Sequence, residues 1–204
     1  LTADDVAARI AALPQRSTEP LRALRRVLSK ELRDASGAEV LDLAITLTQR
    51  GIECRFIASE LVARHRGAMR LVDAPSLRRL GAGIDSWSSV DIFATYLAGP
   101  AWRDGQFDTG TIARWAKSPD RWWRRAALVS TIAISRTGES TQTLAICAML
   151  AADRDDMVVK AMSWALRELS KRDPAAVAKF LDDQDLAPRV VREVRTKLAT
   201  GRKR

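Results

Sequence analysis

The sequence predicts an all-α chain, and three observations predict it. Alanine, leucine and arginine dominate, and runs of alternating β-branched residues are missing. Apolar residues recur throughout at the helical period. Punctuation is regular: Gly37, Gly51, Gly67, Gly81 and Gly138 close segments, while Pro20, Pro75, Pro119, Pro174 and Pro188 stand where first turns belong.

That punctuation places the elements in order. A first helix is expected near 3–13, and a second near 19–34 with Pro20 in its first turn and Gly37 beyond it. Segments 38–50 and 52–66 run up to Gly51 and Gly67, and 75–80 opens on Pro75 and closes at Gly81. Further helices follow near 86–97, 109–117, 119–136, 141–152, 155–171, 174–184 and 188–199, the last two opening on Pro174 and Pro188. Connections this short suit antiparallel neighbours in a compact α domain.

With 204 residues, 47% hydrophobic and 29% charged, the chain reads as one soluble domain, 1–204, able to bury a core without disulfide or metal. Its basic tail, 200–204, is expected to be flexible. Lysine and arginine number 34 against 25 acids, a formal charge of +9, which favours nucleic acid first and an acidic membrane surface second. Cys54 and Cys147 lie in apolar helical patterns, as reduced thiols of a cytoplasmic core do.

Several classes fall away. The nearly apolar run Thr143 to Ala152 is about half the ~20 residues a bilayer needs. One histidine and two distant cysteines cannot make the usual zinc spacings. His65, the only histidine for a Ser-His-Asp triad, sits in Arg64-His65-Arg66 and reads as a solvated helix end. There is no Walker sequence, and Gly81-Ala82-Gly83 lacks the third glycine and preceding strand of a dinucleotide site.

The later helices read as tandem pairs, with first helices near 86, 119 and 155. A period of roughly 35 to 40 residues is that of HEAT or armadillo-like repeats. Trp87 and Arg125 are 38 residues apart, and Arg125 and Trp164 are 39. Equivalent positions on successive repeats line one face, so these three side chains are expected to share one surface of a repeat-like solenoid, although an unrelated helical bundle reaches the same spacing.

Charge and aromatics are patterned too. Helix 19–34 carries Leu21, Leu24, Leu28 and Leu32 on one stripe and Arg22, Arg25, Arg26, Lys30 and Arg33 on another. From Arg189 to Arg204, seven basic residues accompany one acid, Glu193. Each face alone is an ordinary solvated surface; two in a chain of this charge point to a phosphate-tracking groove. A membrane-surface helix competes, but these helices lack aromatic anchors.

Trp164 falls opposite the buried stripe Val158, Met162, Leu166 and Leu169, beside Lys160, Arg167 and Lys171. It is either a contact surface for stacking or a second-layer packing residue. Trp87 heads the stripe Val90, Ala94, Leu97, which suits the core, yet its i+4 neighbour is Asp91, the helix's only carboxylate. A carboxylate held between Val90 and Ile92 is partly desolvated, and either pairs with a cation or does chemistry. Arg125, within Arg121-Trp122-Trp123-Arg124-Arg125, is the evident partner.

The segment Asp85-Ser86-Trp87-Ser88-Ser89-Val90-Asp91 resembles the Trp-x-x-Val-Asp element of AlkD-type DNA alkylation-repair proteins, HEAT-like-repeat DNA glycosylases. Trp115-Ala116 with Ser118 to Ala127, and Val159 to Glu168 with Asp173-Pro174 and Leu186-Ala187-Pro188, resemble it in the same order, across roughly residues 84 to 200. Before residue 84 the chain departs from that pattern, with Phe56 its only aromatic before Trp87.

The resemblance implies an all-α, right-handed solenoid of antiparallel helix pairs with duplex DNA in its concave basic face. The same resemblance implies hydrolysis of the N-glycosidic bond of cationic N3- and N7-alkylated purines in that DNA, a base excision step with no metal or organic cofactor. It makes Asp91 the catalytic carboxylate and Trp87 and Trp164 aromatic walls against the lesion's deoxyribose. Arg125 becomes a DNA-backbone contact, with Arg121, Arg124, Lys160 and Arg167 the basic residues beside these motifs. A monomer working in the cytoplasm at the nucleoid, away from membranes, is the matching expectation. Two alternatives stand: a non-catalytic module binding damaged or branched DNA, and a protein-interaction scaffold.

Overall fold

The computed structural model describes residues 1–201, and among them no strand occurs. Of the tail 200–204, Thr200 ends the last helix and Gly201 caps it; 202–204 lie outside the described residues. The chain forms two compact units, divided between Ala101 and Trp102. No helix among the described residues is long and apolar enough to cross a membrane.

The first unit holds α1 (Ala3–Ala11), α2 (Thr18–Glu31), α3 (Gly37–Leu47), a 3-10 turn (Thr48–Arg50), α4 (Ile52–Arg64), α5 (Arg66–Arg70), α6 (Ala74–Leu80), α7 (Trp87–Phe93) and a π turn (Ala94–Ala98). Side chains written into the sequence begin these helices. Reciprocal capping boxes join Thr2 to Asp5, Ser36 to Glu39, Asp73 to Ser76 and Ser86 to Ser89, each satisfying amides the helix leaves unpaired. Gly51, at φ 108°, makes the corner from the 3-10 turn into α4, a conformation that favours glycine.

α4 is the spine of this unit, packing against α2, α3, α5, α7 and the π turn. Leu28, Leu47, Ile57, Leu77, Leu80, Phe93 and Leu97 are fully buried around it. Arg55 on α4 is buried as well, its guanidinium donating to the carbonyls of Thr48, Leu80 and Ala82. It thereby satisfies chain ends that have no helical partner, and burial draws its pKa down.

α8 (Gly99–Arg103) carries the chain into the second unit, which holds α9 (Thr109–Ala116), α10 (Arg121–Ser135), α11 (Thr141–Met149), α12 (Asp156–Leu169), α13 (Pro174–Asp183) and α14 (Pro188–Thr200). α10 packs on α9, α11 and α12, and α12 packs in turn on α14. Ile112, Leu128, Ile146, Leu166 and Leu169 are fully buried. Both thiols are buried and free, and burial pushes that of Cys147 up to about 12.

The helices fall where the sequence places them, with four differences, one of them α8 over Gly99–Arg103, where no helix was expected. The segment expected over 52–66 breaks at His65, whose extended backbone lets its Nδ1 accept the Ala68 amide at 3.0 Å. His65 is thus the N-cap of α5, a short helix the periodicity did not show, rather than a solvated end. The helix expected over 86–97 becomes α7 and the π turn. Pro100 has no amide to continue the α-helical ladder, and Gly99 donates instead to Ala94, five residues back. The segment expected from 119 begins two residues later, because Asp120 is its cap and accepts the Trp122 amide at 2.8 Å.

Candidate functional site

Trp87 and Asp91 lie four residues apart on one face of α7, which is seven residues long. The first turn is pinned at its start. The Ser86 amide donates to Ser89 Oγ at 3.3 Å, the Ser89 amide to Ser86 Oγ at 3.4 Å, and Ser89 Oγ to the Ser86 carbonyl at 2.9 Å. Val90, Phe93, Ala94 and Leu97 hold the helix down, each at most 1% exposed. Trp87 emerges from this anchored turn 60% exposed, so it is not the core residue its stripe allowed. Asp91 is half-buried, as a carboxylate between Val90 and Ile92 should be. Behind it, the Ala94 amide and the Thr95 hydroxyl both donate to the Asp91 carbonyl, the latter at 2.5 Å. The π turn therefore begins three residues beyond Asp91, against its backbone carbonyl, and such turns recur at functional positions in helices.

The other tryptophans behave differently. Trp102 is buried and donates to Thr109 Oγ1 at 3.2 Å. Trp115 and Trp123 pack at 4.9 Å between centroids, tilted by 55°, joining α9 to α10. Trp122, half-buried, lies under the Arg121 guanidinium at 4.7 Å. Trp164 is half-buried on α12. Trp87 alone among the six has most of its surface in solvent, which sets it apart from these five.

The cations the sequence assigns to DNA divide by exposure. Arg121 and Lys160 have half- and two-fifths-exposed side chains, with acids near: Arg121 Nη1 lies 3.5 Å from Asp155 Oδ2, and Lys160 Nζ 2.6 Å from Asp156 Oδ2. Arg124 is more enclosed, donating to Asp153 Oδ2 at 2.7 Å and to the carbonyls of Ser118 and Pro119. Arg125 is only 5% exposed, and its Nη1 donates to the Met157 carbonyl at 2.6 Å.

Arg167 differs most from expectation. Its face of α12 reads as solvated, yet it is 8% exposed because α14 covers it. Glu193 Oε2 accepts Arg167 Nη1 at 2.5 Å and Ser163 Oγ at 2.6 Å, while Glu193 Oε1 accepts Arg189 Nε at 2.8 Å. Burial pushes the Glu193 carboxyl up, but the Ser163 hydroxyl and the two guanidiniums outweigh it and hold the group at about 2. Glu193 was missed as a structural residue, although its i+4 spacing from Arg189 carries a signal.

The basic stripe of α2 is split in the same way. Arg26, Lys30 and Arg33 are exposed, whereas Arg22 and Arg25 turn toward Glu60 of α4.

Comparisons with known proteins bear on the chain as a whole. The sequence model of one family, described as DNA alkylation repair enzyme, matches residues 17–198. No curated protein matches the chain. Among solved structures, one described as a predicted DNA alkylation repair enzyme from Enterococcus faecalis superposes with a TM-score of 0.74. It is 19% identical in sequence, and the match covers 98% of each chain, a likeness of fold.

Proposed function

The chain belongs to the family of DNA alkylation repair enzymes, and from that premise we propose that it is a glycosylase releasing cationic N3- and N7-alkylated purines from duplex DNA. The observation that supports this reading is the exposed Trp87 indole one helical turn from the half-buried Asp91 carboxylate. Each bears on a sugar that becomes positive.

The chemistry asks little of the base. An alkylated purine already carries a positive charge, so the C1′–N bond breaks with its electron pair leaving on the purine, which departs neutral. Positive charge builds on the deoxyribose, as at other glycosidic transition states. The Asp91 carboxylate opposes that charge, and a positioned carboxylate is worth a few kcal/mol. Water forms the new bond to C1′ and its proton passes to the carboxylate and then to solvent. The products are the free alkylated base and an abasic site. An indole face adds about 0.5 to 2 kcal/mol of cation–π attraction.

Trp164 as a second aromatic wall and Arg125 as a backbone contact belong to the same reading through the resemblance of their motifs. So do the HEAT-like pairing expected from the 35–40-residue spacing, action as a monomer, and duplex DNA as partner. Arg121 and Lys160 have the most exposed side chains of the five cations this reading assigns to DNA, and are the ones to exchange their carboxylates for phosphates.

Mass spectrometry of bases liberated from methylated duplex DNA tests the proposal. Release of 3-methyladenine or 7-methylguanine is the expected result. Salt-sensitive duplex binding without release would make the chain a non-catalytic binder, and binding no tighter than to heparin would point to a protein scaffold.

A further inference from the structure

The first unit contains a buried carboxylate that the proposed reaction does not use. Glu60, on α4, is 2% exposed, and two arginines of α2 converge on it. Arg22 Nε donates to Glu60 Oε1 and Arg25 Nε to Glu60 Oε2, each at 3.1 Å. Buried ion pairs contribute little net stability because desolvation opposes their attraction; their better-attested use is to fix one geometry against its neighbours. Arg22 reaches one residue further. Its Nη2 donates to Tyr96 Oη at 3.3 Å, and its guanidinium carbon lies 5.9 Å from the centre of the Phe56 ring.

Tyr96 is the middle residue of the π turn Ala94–Ala98 and the chain's single tyrosine. A π turn holds one residue more than the α-helical ladder accommodates. Were that extra residue to migrate past Asp91 but not past Trp87, the positions it passed would rotate by about 100°, carrying Asp91 off the face it shares with Trp87. A hydroxyl held from outside the helix opposes that migration. The turn is otherwise coupled to Asp91 through its backbone carbonyl, which accepts from Ala94 and Thr95.

We infer that Glu60, Arg22 and Tyr96 form a positioning relay that fixes the register of the π turn and so the direction of the Asp91 carboxylate. The relay rests on the reading of Asp91 as the catalytic group. None of its members touches the reacting atoms. Arg25 holds the second oxygen of Glu60.

The test uses the full chain with Tyr96→Phe, which keeps the ring and deletes the hydroxyl, and Arg22→Lys, which keeps the charge and loses the fork. Three quantities are measured: single-turnover base release at saturating protein, duplex affinity, and amide hydrogen exchange by mass spectrometry. The relay predicts that Tyr96→Phe slows release about tenfold, leaves affinity within about twofold, and raises exchange over 87–98 by about tenfold while exchange in α2 and α4 holds. Arg22→Lys follows the same pattern of release and exchange. Unchanged exchange over 87–98 overturns the inference, as does a uniform rise across α2, α4 and 87–98, which a merely structural network would give. Altered exchange with an unaltered release rate overturns it too. If the unmodified chain releases no base, the glycosylase reading falls separately, and the exchange pattern alone decides the relay.

Discussion

Among the aromatic residues, Trp87 shows how poorly residue type alone forecasts burial. Its stripe with Val90, Ala94 and Leu97 allowed a core position, yet those three are fully buried while Trp87 stands 60% exposed. In a helix of seven residues the period offers too few positions to tell the first from the stripe that follows. Exposure makes a prediction that separates the tryptophans. Trp87→Ala should change thermal stability by no more than about 0.5 kcal/mol and yet impair base release. Trp102→Ala, deleting a buried indole, should cost about 3 to 5 kcal/mol. Chemical denaturation of both variants, with base release measured for the first, checks the pair. Arg167 errs in the other direction. A charged side chain on a polar face reads as solvated, and nothing local announces that Glu193, 26 residues on, will be folded over it.

At the scale of elements, caps and breakers were legible because their chemistry is local. Pro174 and Pro188 open α13 and α14 where expected. The break at His65 and the π turn before Pro100 were also local, but a histidine cap and a π turn leave no periodic mark. Packing between elements was the illegible part. Glu193, joining α14 to α12, titrates near 2 in the fold against an ordinary 4.5, so the carboxylate form stabilises the native state. Its contribution is complete above about pH 4.5 and is lost as pH falls toward 2. Glu193→Gln should therefore lower stability at neutral pH by about 2 kcal/mol, because Arg167 stays buried without its anion. The difference from the unmodified chain should shrink across that acid window, as thermal melts at stepped pH would show. A second contact is steric: a Cβ on Gly37 would lie 2.4 Å from the Gly67 carbonyl carbon. The α3–α5 contact must then open, and Gly37→Ala should cost about 1 to 3 kcal/mol in a denaturant titration.

Over the whole molecule, the net charge of +9 was plain from the sequence, and it fits a polyanionic partner. The distribution of usable charge was not plain, because tertiary ion pairs occupy cations that composition counts as free. Arg22, Arg25, Arg124 and Arg167 all face carboxylates within the protein. Arg121 and Lys160 also face acids, Asp155 and Asp156, but their side chains stay half and two-fifths exposed, so replacing either with alanine should weaken duplex binding alike across sequences and reduce the salt slope by about one. A fluorescence-anisotropy titration over a salt series reads this directly. The central claim concerns a single carboxylate, and one comparison reaches it: single-turnover release of 7-methylguanine from methylated duplex by the unmodified chain and by Asp91→Asn, both at saturating protein. The predicted result is a loss of about 100-fold or more in the variant with duplex binding retained. Equal rates in the two proteins would contradict the assignment of Asp91.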